Sequence, residues 1–206
     1  SIAFFFKLVF KLFKFVLMLT GVLSFARCGG SGYKKEGGKV FFDGKEVGKD
    51  FVVLNDEFAK NDSAAYYKSY SIDGADIATF TALSKHYAKD KNSVFYCDTY
   101  RESQNYYLTK RSTIFHIPDA DPVSFIMLGD EYSPYAKDDK SAYLNGTGFP
   151  VKDVGSLELI SGWFIKDKYQ VYHGQKPVKG SDPGSFIILD QFFAKDNKQA
   201  YYYTFP

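Results

Sequence analysis

A ten-residue phrase is written six times along this chain, and a chain built that way has few folds open to it. The phrase opens on an aromatic residue, usually continues Ala-Lys-Asp, passes through turn-forming residues and closes on Val or Ala and an aromatic pair. Its copies start at Tyr33, Phe58, Tyr87, Tyr135, Phe164 and Phe193, so the starts lie 25, 29, 48, 29 and 29 residues apart. Tyr87-Ala-Lys-Asp-Lys-Asn-Ser-Val-Phe-Tyr96 is a full copy; Tyr33-Lys-Lys-Glu-Gly-Gly-Lys-Val-Phe-Phe42 departs most, with Gly37-Gly38 in its turn and Glu36 where the others carry Asp or Asn. A fixed period of roughly 20–50 residues marks units that stack on one another to share a core. A residue that recurs in every unit is there to build the unit, which removes most candidate catalytic residues at once.

Each unit carries three local signals. The first is Asp-x-x-Ser/Thr-Phe, as in Asp76-Ile-Ala-Thr-Phe80, Asp121-Pro-Val-Ser-Phe125 and Asp182-Pro-Gly-Ser-Phe186, with Asp153-Val-Gly-Ser-Leu157 as a variant. Asp caps exposed N–H groups and Pro suits a first helical position, so a single helical turn or a turn of that shape is expected. The second is a run of β-formers such as Phe186-Ile-Ile-Leu-Asp-Gln-Phe-Phe193, which reads as a strand. The third is the phrase itself, which reads as a hairpin around triplets such as Asp-Lys-Asn. A three-residue loop would set Asp90 opposite Val94, Lys89 opposite Phe95 and Ala88 opposite Tyr96, with the lysine stem over a ring. Gly- and Pro-rich connections follow each aromatic pair, with a short strand expected near Ile72, Val151 and Val178.

The phrase resembles the repeat of the bacterial DKNYY family, over about residues 33–206. The resemblance implies envelope-associated or secreted proteins, often lipoprotein-like, and supplies no catalytic residues. The interval between Tyr87 and Tyr135 has room for an extra degenerate unit around Tyr106-Tyr107. The expected fold is therefore an all-β repeat protein: stacked β-hairpin units of about 29 residues in an open array, preceded by an N-terminal apolar helix. A closed propeller-like ring is the alternative, disfavoured because propeller blades run to ~40 residues or more.

The chain's 206 residues include 17 Tyr and 21 Phe, a content suited to β structure, and its net charge of +2 gives no reason to expect nucleic acid as a partner. Residues 1–26 stand apart. Lys7, Lys11 and Lys14 are followed by an uncharged apolar run from Phe15 to Phe25 and small residues at Ser24 and Ala26. That order is the layout of a secretory signal, and the helical spacing of the lysines also fits an uncleaved membrane-associated helix. Residues 27–32 read as a Gly/Ser linker and 33–206 as the repeats. The expected location is the bacterial envelope or the extracellular space. Cys28 sits where a lipidated cysteine would, although Arg27 before it argues against lipidation; a disulfide to Cys97 is allowed after export, and an unpaired Cys97 filling a strand position is the plainer reading. The last phrase runs almost to Thr204-Phe205-Pro206, so a C-terminal cap is expected to be missing.

No nucleophile elbow, phosphate-binding loop or metal-ligand spacing accompanies His86, His116 and His173, so neither an enzyme, a cofactor nor a metal is expected. Asp73 with Asp76, and Asp119 with Asp121, fall short of the ligand count of a calcium loop. Residues that break the repeat are better candidates for a binding surface than residues that make it: Tyr106, Tyr107, Arg111, Glu131, Tyr132 and Trp163. The favoured function is a non-enzymatic exported module that binds a protein or other envelope component, with membrane association if residues 1–26 are retained. A glycan- or cell-wall-binding protein using exposed aromatics is the alternative.

Overall fold

The structure is a computed structural model and describes residues 32–101 and 110–203. The expected N-terminal helix, Cys28, Tyr106 and Tyr107 lie outside those residues. The described chain folds into six small antiparallel sheets that follow one another in sequence, one per phrase, as an open array. Sheet 1 holds β1 (Tyr33–Glu36), β2 (Lys39–Phe42) and β3 (Lys45–Gly48); sheet 2 holds β4 (Val52–Val53), β5 (Phe58–Lys60), β6 (Ala65–Tyr67) and β7 (Tyr70–Ile72). Sheet 3 holds β8 (Thr81–Ala82), β9 (Tyr87–Lys89), β10 (Val94–Arg101) and β11 (Lys110–His116). Sheet 4 holds β12 (Ile126–Met127), β13 (Tyr135–Lys137), β14 (Ala142–Leu144) and β15 (Thr147–Phe149). Sheet 5 holds β16 (Glu158–Ser161), β17 (Phe164–Lys166), β18 (Val171–His173) and β19 (Lys176–Pro177), and sheet 6 holds β20 (Ile187–Ile188), β21 (Phe193–Lys195) and β22 (Ala200–Tyr202).

The unit is thus more than a hairpin. Sheets 2 to 5 are four-stranded meanders whose two middle strands are the phrase. The run before the phrase is not one strand either: in sheet 6 only Ile187 and Ile188 pair, and Asp190 Oδ1 then accepts the N–H groups of Phe192 and Phe193 at 2.7 and 2.9 Å, turning the chain. The final strand returns through a two-residue turn, Lys68-Ser69 in sheet 2 and Asn145-Gly146 in sheet 4, with Lys68, Asn145 and Gly146 at positive φ. No seventh sheet fills the long interval among the described residues. Its extra length goes instead into the ribbon of β10 and β11, which pair from Phe95–His116 out to Arg101–Lys110.

The hairpin register differs by one residue from the expected one. Lys89 faces Val94, Ala88 faces Phe95 and Tyr87 faces Tyr96. The loop has four residues because the aspartate closes it twice. Asp90 N donates to Ser93 O at 3.0 Å, while Asp90 Oδ1 accepts from Asn92 N and Ser93 N at 2.7 and 2.8 Å. Asn61, Asp138, Asp167 and Asp196 repeat the side-chain pattern. Small still faces large across the strands, as in Ala59–Tyr66, Ala136–Tyr143 and Ala194–Tyr201.

Side chains alternate across a strand, so each sheet has two faces, and in the interior of the array both are buried. Phe58, Ala65 and Tyr67 of sheet 2 pack forward on Phe80, Ala88 and Phe95. Tyr87, Val94 and Tyr96 of sheet 3 pack forward on Phe125, Ala136 and Tyr143. Tyr135, Ala142 and Phe149 meet Leu157, Ile165 and Tyr172, and Phe164 and Val171 meet Phe186 and Ala194. Most of the phrase tyrosines are therefore core, not a surface row.

Candidate functional site

The residues that give the phrase its character are spent on joining neighbouring sheets. Each Asp-x-x-Ser/Thr-Phe segment forms a turn lying between two sheets, closed by a backbone bond such as Phe125 N to Asp121 O at 3.0 Å. The following sheet holds its leading N–H: Asp90 Oδ2 accepts from Asp76 N at 2.6 Å, Asp138 from Asp121 N at 3.1 Å, Asp167 from Asp153 N at 3.0 Å and Asp196 from Asp182 N at 2.8 Å. The preceding sheet holds its carbonyls. Lys60 Nζ donates to Ile77 O and Phe80 O, Lys89 to Pro122 O and Phe125 O, Lys137 to Val154 O and Leu157 O, and Lys166 to Pro183 O, all within 2.8–3.1 Å. An anion at the N–H end and a cation at the carbonyl end complement the turn's peptide dipoles as they would a helix. The lysines therefore do not lie over rings, as the sequence suggests. Their ammonium groups find stronger partners in carbonyls that would otherwise be left unpaired between sheets.

The tyrosines divide the remaining work. The first of the closing pair bonds the turn carboxylate: Tyr143 OH to Asp138 Oδ2 at 2.6 Å, Tyr172 OH to Asp167 Oδ2 at 2.9 Å and Tyr201 OH to Asp196 Oδ2 at 2.6 Å. The opening tyrosine reaches the two-residue turn region of the next sheet. Tyr33 OH donates to Lys68 O; Tyr87 OH donates to Pro134 O at 3.0 Å and accepts from Gly146 N at 2.8 Å; Tyr135 OH lies 2.8 and 3.1 Å from Trp163 O and Gly174 O. Phe58 stands at that position where the next sheet runs on into the long ribbon, and Phe164 where sheet 6 has no such turn among the described residues. A hydroxyl is present where a turn awaits it.

These bonds set the titration of the carboxylates. Burial pushes Asp138 up, but the Tyr143 hydroxyl and the N–H groups of Asp121, Lys140 and Ser141 outweigh it and hold the carboxyl below its ordinary value. Asp121 is lowered by Ser124 and the Val123 N–H, and Asp76 falls to about 2, chiefly through Lys91, 2.8 Å away. A group that binds its proton more weakly folded than unfolded contributes stability that is complete above the unfolded pKa and disappears as pH falls through the folded one. The melting temperature is accordingly expected to drop as pH is taken from about 4 toward 2, with a shallower drop in Asp138→Asn. A flat profile, or melting temperatures that climb on acidification, would contradict the assigned bonds.

The opposite end of the meander carries a further set of exposed side chains. Connections in a meander alternate ends, so the loops before the phrase and the turns after it share one rim, away from the Asp turns. Tyr132, Trp163 and Phe192 are exposed on that rim in three successive sheets. Lys85 Nζ lies 4.3 Å from the Tyr132 ring centre and 3.2 Å from its hydroxyl, and Lys85 N donates to Glu131 O at 3.3 Å, so the 129–134 insertion leans back on sheet 3. The ribbon leaves from the same rim, with Tyr100 opposite Arg111 and both exposed. Of the expected surface residues, Arg111, Glu131, Tyr132 and Trp163 thus gather on one rim. Phe192 and Lys85 are additions; the position just before the phrase, which holds Trp163 and Phe192, is the signal that would have found Phe192.

Each histidine has a ring or backbone neighbour. His173 sits between Phe164 and Tyr203 at 4.6 and 4.7 Å, where burial lowers its pKa, His116 rests 4.6 Å from Phe95, and His86 Nδ1 lies 3.0 Å from Cys97 O. Cys97 is a free, fully buried thiol in the core between sheets 2 and 3, its pKa pushed up by burial and by Asp98. Among the described residues no group of three His, Cys, Asp or Glu side chains is placed to hold a metal ion.

Small antiparallel meanders stacked in series, with shared turns tying sheets 2 to 6 together, define a β-repeat protein. Within that class the chain belongs to the DKNYY family, whose sequence model matches residues 7–99 and again 100–204. The division between the two matches falls inside β10, which pairs with β11 across it, so it is not a structural boundary. No curated protein and no solved structure matches the chain.

Proposed function

We propose that this chain is a non-enzymatic, exported repeat module that binds a protein or other component of the cell envelope through the rim carrying Tyr132, Trp163, Phe192 and the β10–β11 ribbon. The observation that supports it most is the placing of exposed rings at one edge of three successive sheets, while the first lysine, the turn aspartate and the first closing tyrosine of the phrase serve the junctions between sheets. Aromatic rings beside an arginine are the composition of binding surfaces. Export rests on the basic-then-apolar order of residues 1–26.

The test is capture from envelope extract with the intact chain and with Tyr132→Ala/Trp163→Ala. A partner retained by the first and lost by the second supports the rim; equal retention by both removes it. Trp163 and Tyr132 also suit stacking on sugar rings, which keeps glycan binding as the second reading. Sedimentation with purified cell wall that depends on the same two rings would favour it over a protein partner.

A further inference from the structure

The two-residue turn of sheet 4 is Asn145-Gly146, and the chain carries the dipeptide Asn-Gly nowhere else. In an open chain that pair is chemically unstable. A glycine nitrogen has no neighbouring Cβ to shield it, so it can reach the side-chain amide of the residue before it. Once the Gly146 amide proton is lost, its nitrogen attacks Asn145 Cγ. The new N–Cγ bond closes a cyclic imide, the Cγ–Nδ2 bond breaks, and ammonia departs with the proton. Water then opens the ring at either carbonyl. The product is aspartate or, with the main chain rerouted through the side chain, isoaspartate. Nothing is oxidised or reduced, and water is the only co-reactant.

The fold holds both partners of that step in place. Asn145 is exposed, but Gly146 is buried and its N–H donates to Tyr87 OH at 2.8 Å. The phenol donates in turn to Pro134 O at 3.0 Å, and Asn145 N donates to the same carbonyl at 3.1 Å. Tyr87 is fully buried, and burial pushes its pKa up, so the phenol stays neutral and offers no base to the amide it holds. Tyr96 and Phe115 confine the glycine: a Cβ there would lie 2.6 Å from Tyr96 and 2.9 Å from Phe115 Cζ. The turn of sheet 1, Asp43-Gly44, has the same pair of positive φ values, +48° and +78° against +49° and +73°, yet nothing lies within 4 Å of a carbon added at Gly44. The turn shape is common to both; the clamp belongs to the seam between sheets 3 and 4. We propose that Asn145-Gly146 is a deamidation site kept closed by Tyr87, at which the side-chain amide is lost only while that seam is open. Isoaspartate adds a backbone atom where the turn has no space for it, so the product keeps the seam from closing again and records the opening permanently.

The test ages the intact chain in mildly alkaline buffer and resolves the peptide carrying Asn145 into its Asn, Asp and isoaspartate forms by chromatography and mass spectrometry. Tyr87→Phe is expected to raise the deamidation rate about tenfold, the weight of one lost hydrogen bond to a buried group. Tyr135→Phe removes the equivalent hydroxyl from the next junction, where it meets Trp163 O and Gly174 O, and should leave the rate at Asn145 unchanged. Asp43→Asn places the same dipeptide in the unclamped turn of sheet 1, and position 43 should convert well ahead of Asn145 in the same molecules. An unchanged rate in Tyr87→Phe overturns the proposal, and so does equal acceleration by both tyrosine variants, which makes global unfolding the route. Conversion at position 43 no faster than at Asn145 overturns it as well. If Tyr87→Phe does not fold, the unsubstituted chain decides the matter. Small additions of urea that speed hydrogen exchange at Gly146 are expected to speed deamidation in proportion, and exchange that rises while deamidation stays flat overturns the proposal.

Discussion

Asp167→Ala is expected to lower stability by about 4 kcal/mol, the largest loss from any single side chain of the repeat phrase. Asp167 is buried, and its carboxylate accepts five hydrogen bonds. Tyr169 N and Gln170 N reach Oδ1 at 2.8 and 2.7 Å; Lys152 N, Asp153 N and Tyr172 OH reach Oδ2 at 2.9–3.0 Å. Truncation leaves the hairpin loop unclosed and also strips the N–H end of the turn between sheets 4 and 5. For a chain of this size the melting temperature should fall by roughly 10 °C. Asp139→Ala is the control: it sits beside the equivalent aspartate of sheet 4, is exposed, accepts only from Ser124 at 3.3 Å and should change stability by less than about 0.5 kcal/mol. Equal melting of the two variants would show that the buried carboxylate does not hold the sheets together.

A second large effect is expected at Gly146, where a turn of sheet 4 approaches the aromatic pair of sheet 3. Its φ is +73°, and a Cβ there would lie 2.6 Å from Tyr96 Cβ and Cγ and 2.9 Å from Phe115 Cζ. Gly146→Ala combines left-handed strain with overpacking against a core that cannot give way, and should cost about 3 kcal/mol. Gly44→Ala has a similar φ of +78° and nothing within 4 Å of the added carbon, so it carries the strain alone, about 1 kcal/mol. Chemical denaturation of the pair separates the two contributions. If Gly146→Ala were no worse than Gly44→Ala, sheets 3 and 4 would not meet as described.

The architecture was legible in the sequence because the phrase repeats, and repetition reports stacking directly. The hairpin register was not. A three- and a four-residue loop read alike in Asp-Lys-Asn-Ser, and the choice is made by how many N–H groups one carboxylate can reach. The role of the lysines was hidden for a different reason: Lys89 and the carbonyls of Pro122 and Phe125 it serves are more than thirty residues apart, so no local pattern connects them. The rim was partly visible, since Tyr132 and Trp163 stand out as departures from the repeat. Lys85 does not, because it matters only through its reach to Tyr132, 47 residues away.

The turn shared between sheets also gives the array a direction. Each of the four junctions from sheet 2 to sheet 6 takes its lysine from the sheet behind and its aspartate from the sheet ahead, so the two ends of any stretch of such units differ chemically. One end offers an aspartate-bound turn in need of a lysine, the other a lysine in need of a turn. Units of this design can therefore join head to tail but not head to head, like monomers of a polar filament.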